Sequence, residues 1–527
     1  MCMTLFSVAG CSKDDGSGAI FKYDIDANPK TLDPQMTDDI NSELIISNVF
    51  MGLLRENADG SLSEGVAENY IVSEDGLTYT FKLRTDVYWR YDGEEKPCTA
   101  EDFVYGFKRL FDHDTNAPRA EEYYCIKNSK PVHRGLVPDK SVLGVKALGE
   151  YELEISLDYP DPQLPLLLTK APAMPCNEEF FLKSQGKYGL SAECTASNGA
   201  FYVRTWDYDP YSKTENNHLI LRRNAKNNET RRVYPQGLNF FIMENGGFVE
   251  DFIAGTTSCI AVNDEEAALI EGEFSVEEFH NISVGLVFNR SFDPFRSENF
   301  RCALASLVDR DAIGSALAHY ESSYAIVPYE VSMLDMGYRE LVGSQLTPEY
   351  DRERAQELYE KALPQLDKNY FTSARIIVPD ESAAQAVSYI MQEWQREFGF
   401  YCIVETLSPE DYRTRLAAGD YEMAVVELSG SYNSPAAYLE CFVNGAPNNY
   451  GKYFNAEFES LMDGAKVALD LYDSAEEYAK AEQVLIDTAA FVPLYYQNEY
   501  FYIGEDLADV IYNPFSRTVD FSQAKKF

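Results

Sequence analysis

At 527 residues, 45 % of them apolar, the chain outgrows the ~250–300 residues that one hydrophobic core serves, so two or more cores are expected. Its 86 acidic and 45 basic residues leave a formal net charge of −41, which nucleic-acid phosphates and anionic lipid headgroups repel, so nucleic acid is excluded as a partner. The densest basic spots, Arg222-Arg223 and Arg231-Arg232, read as solvated faces.

From the N-terminus, Leu5-Phe6-Ser7-Val8-Ala9-Gly10-Cys11 is a short apolar run that passes through small residues to a cysteine. The polar stretch 12–19 that follows reads as a flexible linker. Val8-Ala9-Gly10-Cys11 resembles the lipobox that ends a bacterial lipoprotein signal peptide, although no Lys or Arg stands among the ten residues before Cys11. The resemblance implies lipidation at Cys11 and a signal remnant over 1–11; an ordinary cysteine is the alternative. No later stretch approaches the ~18 uncharged apolar residues of a spanning helix.

Thr78 to Arg84 alternates Tyr79, Phe81 and Leu83 with polar residues, the pattern of a half-buried strand, and Tyr151 to Leu157 repeats it. Thr99-Ala100-Glu101-Asp102 fits a capping box, followed by Phe103, Phe107, Leu110 and Phe111 at helical spacing. Val387, Ile390, Met391, Trp394 and Phe398 form a core-facing helical stripe. Ser408-Pro409-Glu410-Asp411 opens a helix with a cap, a first-turn proline and acids. Ser474-Ala475-Glu476-Glu477 opens another that runs toward Ala490. Together these predict a mixed α/β chain with several sheets, without the repeated βαβ units of a barrel.

The ten cysteines include no Cys-x-x-Cys pair, so no structural metal is expected. Cys176 and Cys194 are the nearest candidates for a disulfide, with free buried thiols the equal alternative. Gly-x-Ser-x-Gly, His-Glu-x-x-His and a phosphate-binding Gly-x-x-x-x-Gly-Lys-Ser/Thr are all absent. His113, His133, His218, His280 and His319 are widely spaced. The expectation is therefore neither an enzyme nor a cofactor-dependent protein.

Longer motifs follow one another in order. Thr31-Leu32-Asp33-Pro34 precedes Val49-Phe50-Met51-Gly52-Leu53-Leu54, then Ala67-Glu68-Asn69-Tyr70 and the run Ser73 to Arg84. Ser197-Asn198-Gly199-Ala200-Phe201-Tyr202, Phe288-Asn289 with Pro294-Phe295, and Val492-Pro493-Leu494-Tyr495-Tyr496 come later. The set resembles the family 5 extracellular solute-binding proteins, whose best-known members bind oligopeptides and dipeptides. The resemblance runs from residue 20 to 527.

That resemblance implies an α/β, two-lobed periplasmic-binding-protein (Venus flytrap) fold. Lobe I would comprise 20–60, 190–277 and 493–527, with an extra α/β subdomain at 61–189; lobe II would be 278–492. It also implies an extracellular binding component of an ABC importer, closing on an extended peptide and presenting it to permease subunits. The protein would be a monomer, lipid-anchored on the extracellular face of the bacterial cytoplasmic membrane or periplasmic. A non-peptide solute (an oligosaccharide, metal complex, opine or other small molecule) is the alternative.

The implied ligand-binding residues are Asn28 and Pro29 after the first strand, Arg415 for a peptide carboxylate, and the segment Leu428, Ser429, Gly430, Ser431, Tyr432 and Asn433. In that segment the family places an ammonium-binding aspartate where this chain has Ser431, which offers no countercharge. Glu427, four residues earlier, is the candidate substitute if it faces the cleft.

Overall fold

The computed structural model describes residues 18–57, 59–91, 93–211, 217–224, 226, 228–244, 246–317, 320–343, 347–366 and 374–527. Cys11, the linker before residue 18 and His319 lie outside these described residues.

The first strand, Ile20–Ile25, buries Phe21 and Ile25 and pairs in parallel with Gly237–Ile242. His218–Arg223 and Phe201–Asp207 complete a four-stranded sheet. A second four-stranded sheet is formed by Ala67–Val72, Thr78–Leu83, Glu152–Ser156 and Val145–Gly149. In it Tyr79, Phe81 and Leu83 face inward, as their alternation predicts. Helix Ala100–Leu110 packs beside this sheet; the Asp102 carboxylate accepts the Thr99 N–H at 2.7 Å, and Phe103, Phe107 and Leu110 are buried.

The two sheets share one continuous apolar core. A buried ion pair joins them at the Thr31-Leu32-Asp33-Pro34 motif. Arg109 of the helix donates to both Asp33 oxygens, at 3.0 Å for Nη1–Oδ1, and to Gln35 Oε1 at 2.7 Å. Cys176 lies against the same guanidinium, with Sγ 3.4 Å from Nη1. That placement engages the thiol, and Cys176 and Cys194 are both free rather than bridged.

A larger sheet of seven strands runs from the first lobe into the second. Its order is Cys259–Asn263, Val492–Ile503, Ser275–Phe288, Met423–Ser429, Ala374–Val378 and Cys402–Thr406, with Glu321–Ser322 pairing to Val492–Ile503. Along Met423–Val426 successive side chains enter different cores: Met423 and Val425 one, Ala424 and Val426 the other. This is the period-two consequence of a sheet covered on both faces.

Helix Glu381–Phe398 covers one face, capped by Asp380 (2.7 Å from the Ala383 N–H) and ended by Gly399 at φ +66°. Its stripe Val387, Ile390, Trp394 and Phe398 is buried, and Met391 packs at the margin. Helix Pro409–Ala418 has the predicted Ser408 cap. The late helix differs from expectation. It spans Leu471–Asp487 and is capped by Asp470, whose carboxylate accepts the Asp473 N–H; Ser474 lies in its first turn, donating to Ala465 O.

Two strands run through both lobes. Ser275–Phe288 and Val492–Ile503 are 14 and 12 residues long, antiparallel, and paired from Ser275↔Ile503 to Leu286↔Val492. Gly285 sits at the second of the two register shifts in this pairing. A Cβ there would lie 2.3 Å from the Phe491 ring and 2.7 Å from Val492 O. Substituting Gly285→Ala therefore overpacks the crossing and should cost roughly 1–3 kcal/mol. A clear fall in melting temperature is expected by calorimetry; an unchanged value would show that the crossing has slack.

Candidate functional site

Three strands of the second lobe, Ala374–Val378, Cys402–Thr406 and Met423–Ser429, are mutually parallel. In α/β sheets the crevice beyond the carboxyl ends of parallel strands is the usual ligand position, because the chain leaves there through loops and helix N-termini. Pro379, Asp380, Pro409 and Glu427 occupy those ends and line a cleft of about 810 Å³. Its opposite wall belongs to the first lobe: Asp26 after the first strand, Ala261, Val262 and Asn263, Glu265 and Glu266, Glu499, and Arg517. Tyr320, Tyr412 and Tyr450 add aromatic surface. Tyr320 stacks on Tyr495 at 4.8 Å between centroids, and Tyr412 Oη is held on Val425 O at 2.6 Å.

The cleft is strongly negative. Six carboxylates (Asp26, Glu265, Glu266, Asp380, Glu427 and Glu499) face two guanidiniums, Arg413 and Arg517. Arg517 Nε is 3.5 Å from Glu499 Oε1, so much of its charge is matched within its own wall. Glu427 is reached by solvent, yet protein surrounds it on both sides of the cleft. That loss of bulk water raises its pKa; neighbouring Asp380 adds to the rise, and Arg517 opposes it from the other lobe.

Of the residues singled out in the sequence, Glu427 lines this cleft and the others do not. Asn28 accepts the Trp206 indole N–H at 2.9 Å, and Pro29 is buried beside it. Arg415 is paired with Glu405 and with Asp420, to whose carbonyl it also donates at 3.0 Å. Arg413, on the same helix, is the arginine that reaches the cleft. Leu428 is core, and Ser429 and Ser431 are exposed away from the lining. Gly430 lies under the Tyr438 ring, where a Cβ would be 2.7 Å away. Tyr432 is buried with Oη 3.3 Å from Glu440, and Asn433 exchanges hydrogen bonds with Ser332 at 2.7 and 2.8 Å. Leu428, Gly430, Tyr432 and Asn433 therefore pack behind the wall, while Ser429 and Ser431 stay at the surface outside its lining.

The residues that sequence reasoning missed, Asp380 above all, do carry a local signal. Asp380 caps the helix of the Val387–Phe398 stripe and follows directly on a strand. Glu266 carries one as well, closing the capping box Asn263-Asp264-Glu265-Glu266, whereas Asp26, Glu265 and Arg517 have no comparable signature in so acidic a chain.

A smaller cavity of about 210 Å³ adjoins the cleft and shares Asp26, Glu266, Glu499 and Arg517 with it. Asp24 lines it with both carboxylate oxygens buried and without a hydrogen-bond partner among the described residues. Burial, then Asp251, pushes its pKa up to about 7 from 3.8. A carboxyl whose folded pKa is raised contributes stability fully present below the unfolded value and lost as pH rises through the folded one. Asp24→Asn should therefore leave stability near pH 3.5 little changed and raise it at pH 8 by roughly 2 kcal/mol. Thermal unfolding across pH 3.5–8 checks this; parallel profiles for both proteins would refute it.

Comparison with known proteins places this architecture. The family model of bacterial extracellular solute-binding proteins, family 5 (middle region), matches residues 61–450. The oligopeptide-binding protein OppA of Bacillus subtilis (strain 168) is 26 % identical over 517 residues, covering 95 % of this chain and 91 % of its own. The probable deoxycholate-binding periplasmic protein YgiS of Escherichia coli (strain K12) is 25 % identical over 496 residues, covering 91 % and 88 %. The crystal structure of Haemophilus influenzae OppA in complex with RPPGFSPFR shares the fold, with a TM-score of 0.73, 22 % identity, and coverage of 97 % of this chain and 100 % of that one. With the family model matching well over half of its length, this chain belongs to the bacterial extracellular solute-binding proteins of family 5.

Proposed function

We propose that this protein is the substrate-binding component of an ABC importer, capturing extended oligopeptides in its interlobe cleft and presenting them to the permease subunits. The observation that carries the reading is the strand Cys259–Asn263. It stands at the edge of the seven-stranded sheet, hydrogen-bonded to Val492–Ile503 on one side. Its Ala261, Val262 and Asn263 line the cleft. An edge strand offers backbone donors and acceptors that any extended peptide can meet whatever its side chains, and water in a roomy cleft accommodates those side chains.

In this reading no ligand bond is made or broken. A ligand that touches both walls gains contacts only when the lobes are together, and so shifts the hinge equilibrium toward closure. A monomer suffices for this, and a lipid on Cys11 would hold it at the outer face of the membrane. The non-peptide alternative rests on Ser431, which lacks the family's countercharge, and on the relative named as a probable deoxycholate-binding periplasmic protein. Deoxycholate is an anion, and six carboxylates in the cleft oppose it, so the peptide is preferred.

Native mass spectrometry of the purified protein, followed by denaturation and sequencing of what is released, tests the choice. A ladder of short mixed peptides is expected. A single non-peptide species, or an empty protein whose melting temperature ignores peptide mixtures, would overturn the peptide assignment.

A further inference from the structure

Resting on the hinge motion of the reading above and not on the ligand's identity, we infer that the segment 161–168 is a latch between the lobes. Its Gln163 and Leu166 hold the closed arrangement together whether or not the cleft is filled.

The short helix Leu164–Leu167 belongs to two cores at once. Leu164 and Leu167 pack into the core of the first lobe, and Tyr123 Oη donates to Leu167 O at 2.8 Å, which ties the helix to that side. Leu166, 2 % exposed, instead enters the second-lobe core that holds Tyr338, Tyr432 and Tyr478. Gln163, just before the helix, is buried with both ends of its amide committed to the second lobe. Nε2 donates to Tyr478 Oη at 3.2 Å, and Oε1 accepts from the Ser434 hydroxyl.

The first lobe presets this geometry. The Gln163 N–H donates to Asp161 Oδ1 at 3.0 Å, and its carbonyl accepts from Leu166 at 3.0 Å and from Leu167 at 3.2 Å. The amide is therefore held ready for its partners, and little freedom is lost when the lobes meet. Gly60 marks a second close approach, where a Cβ would lie 2.6 Å from Ser332 Oγ and 2.8 Å from Leu334 O.

The contact is also built to release. Among the described residues, no main-chain hydrogen bond and no ion pair joins 158–170 to the second lobe. Opening parts side chains and leaves both backbones intact, whereas the crossing strands are a continuous ladder. On opening, the Gln163 amide exchanges its partners for water at little net cost. Leu166 exposes apolar surface, and that opposes opening more strongly. Leucine thus supplies most of the holding force and glutamine the register. An interaction present only in the closed state raises the closed population of the empty protein, so the ligand has less of the difference to supply.

Small-angle X-ray scattering of ligand-free protein reads that population. Gln163→Ala, Leu166→Ala and, from the other lobe, Tyr478→Phe should each shift the radius of gyration upward from wild type, Leu166→Ala furthest, with circular dichroism unchanged. Tyr478→Phe removes a single hydroxyl and keeps the test open if Leu166→Ala fails to fold. A mixture of tri-, tetra- and pentaalanine should bring all four proteins to one compact value, the variants requiring several-fold more peptide than wild type. Equal radii for the ligand-free proteins, with peptide still compacting them, would overturn the latch and leave the hinge reading intact. A fall in melting temperature without a shift in radius would overturn it too, because these residues would then only pack. Radii that change with neither substitution nor peptide would overturn hinge and latch together. A shift on substitution without any response to peptide would support the latch and count against the peptide assignment.

Discussion

The two lobes of this protein are held in one hydrogen-bonded sheet by Ser275–Phe288 and Val492–Ile503, and that continuity constrains everything else. A sheet cannot be sheared without breaking ladder hydrogen bonds, so the lobes can change their relation only where the ladder is already irregular. The pairing shifts register between Phe279 and Ile282, and again between Val284 and Gly285. Bulges bend and twist a strand locally. At the first of them the chain leaves the core of the first lobe and enters that of the second: Phe279 packs with one, Ile282 with the other. His280 turns aside to Glu330, and Asn281 donates to Pro514 O while accepting from Tyr438. The irregular residues thus have partners of their own, and the strain of bending falls on a short span.

That same continuity fixes the site. With the crossing strands in the middle of the sheet, the edge strand Cys259–Asn263 lies on the first-lobe side and the parallel strands on the second-lobe side. Edge backbone and strand carboxyl ends then face a common space. Neither wall is a site alone. The first supplies main-chain groups and the acids that follow Asn263; the second supplies the charges at helix and strand ends.

Much of the fold was legible because it rests on local rules. The alternation from Tyr79 to Leu83, the Thr99–Asp102 cap and the Val387–Phe398 stripe are short-range patterns, and each forms the element it predicts. The late helix begins four residues early, since Asp470 competes with Ser474 for the cap and gains a first turn. The site was less legible, because the cleft is assembled from residues far apart in the chain, from Asp26 to Arg517. Carrying the family's binding segment onto 428–433 pointed to the carboxyl end of Met423–Ser429, the strand whose Glu427 lines the cleft. It could not tell which side chains would be consumed by the core: Leu428, Tyr432 and Asn433 turn inward, and the strand's last cleft-facing residue is Glu427. Arg415 stands outside the cleft lining, since Glu405 and Asp420 lie within reach of it once the helix folds.

The negative charge of the cleft also bears on how binding is coupled to closure. Asp380 and Glu427 stand on one lobe, and Asp26, Glu265, Glu266 and Glu499 on the other. Bringing these walls together without a ligand concentrates like charge in a shrinking volume of water, which opposes closure. The attraction of Arg517 for Glu427 offsets part of this, but Glu499 already engages that arginine. Leu166 and Gln163 act in the opposite sense, through contacts that carry no charge. The difference in free energy between open and closed states therefore depends on the charge facing across the cleft as well as on contacts, and only a differential of that kind can shift a conformational equilibrium. Salt separates the two, because it screens the repulsion across a water-filled cleft and leaves the packing of Leu166 in place.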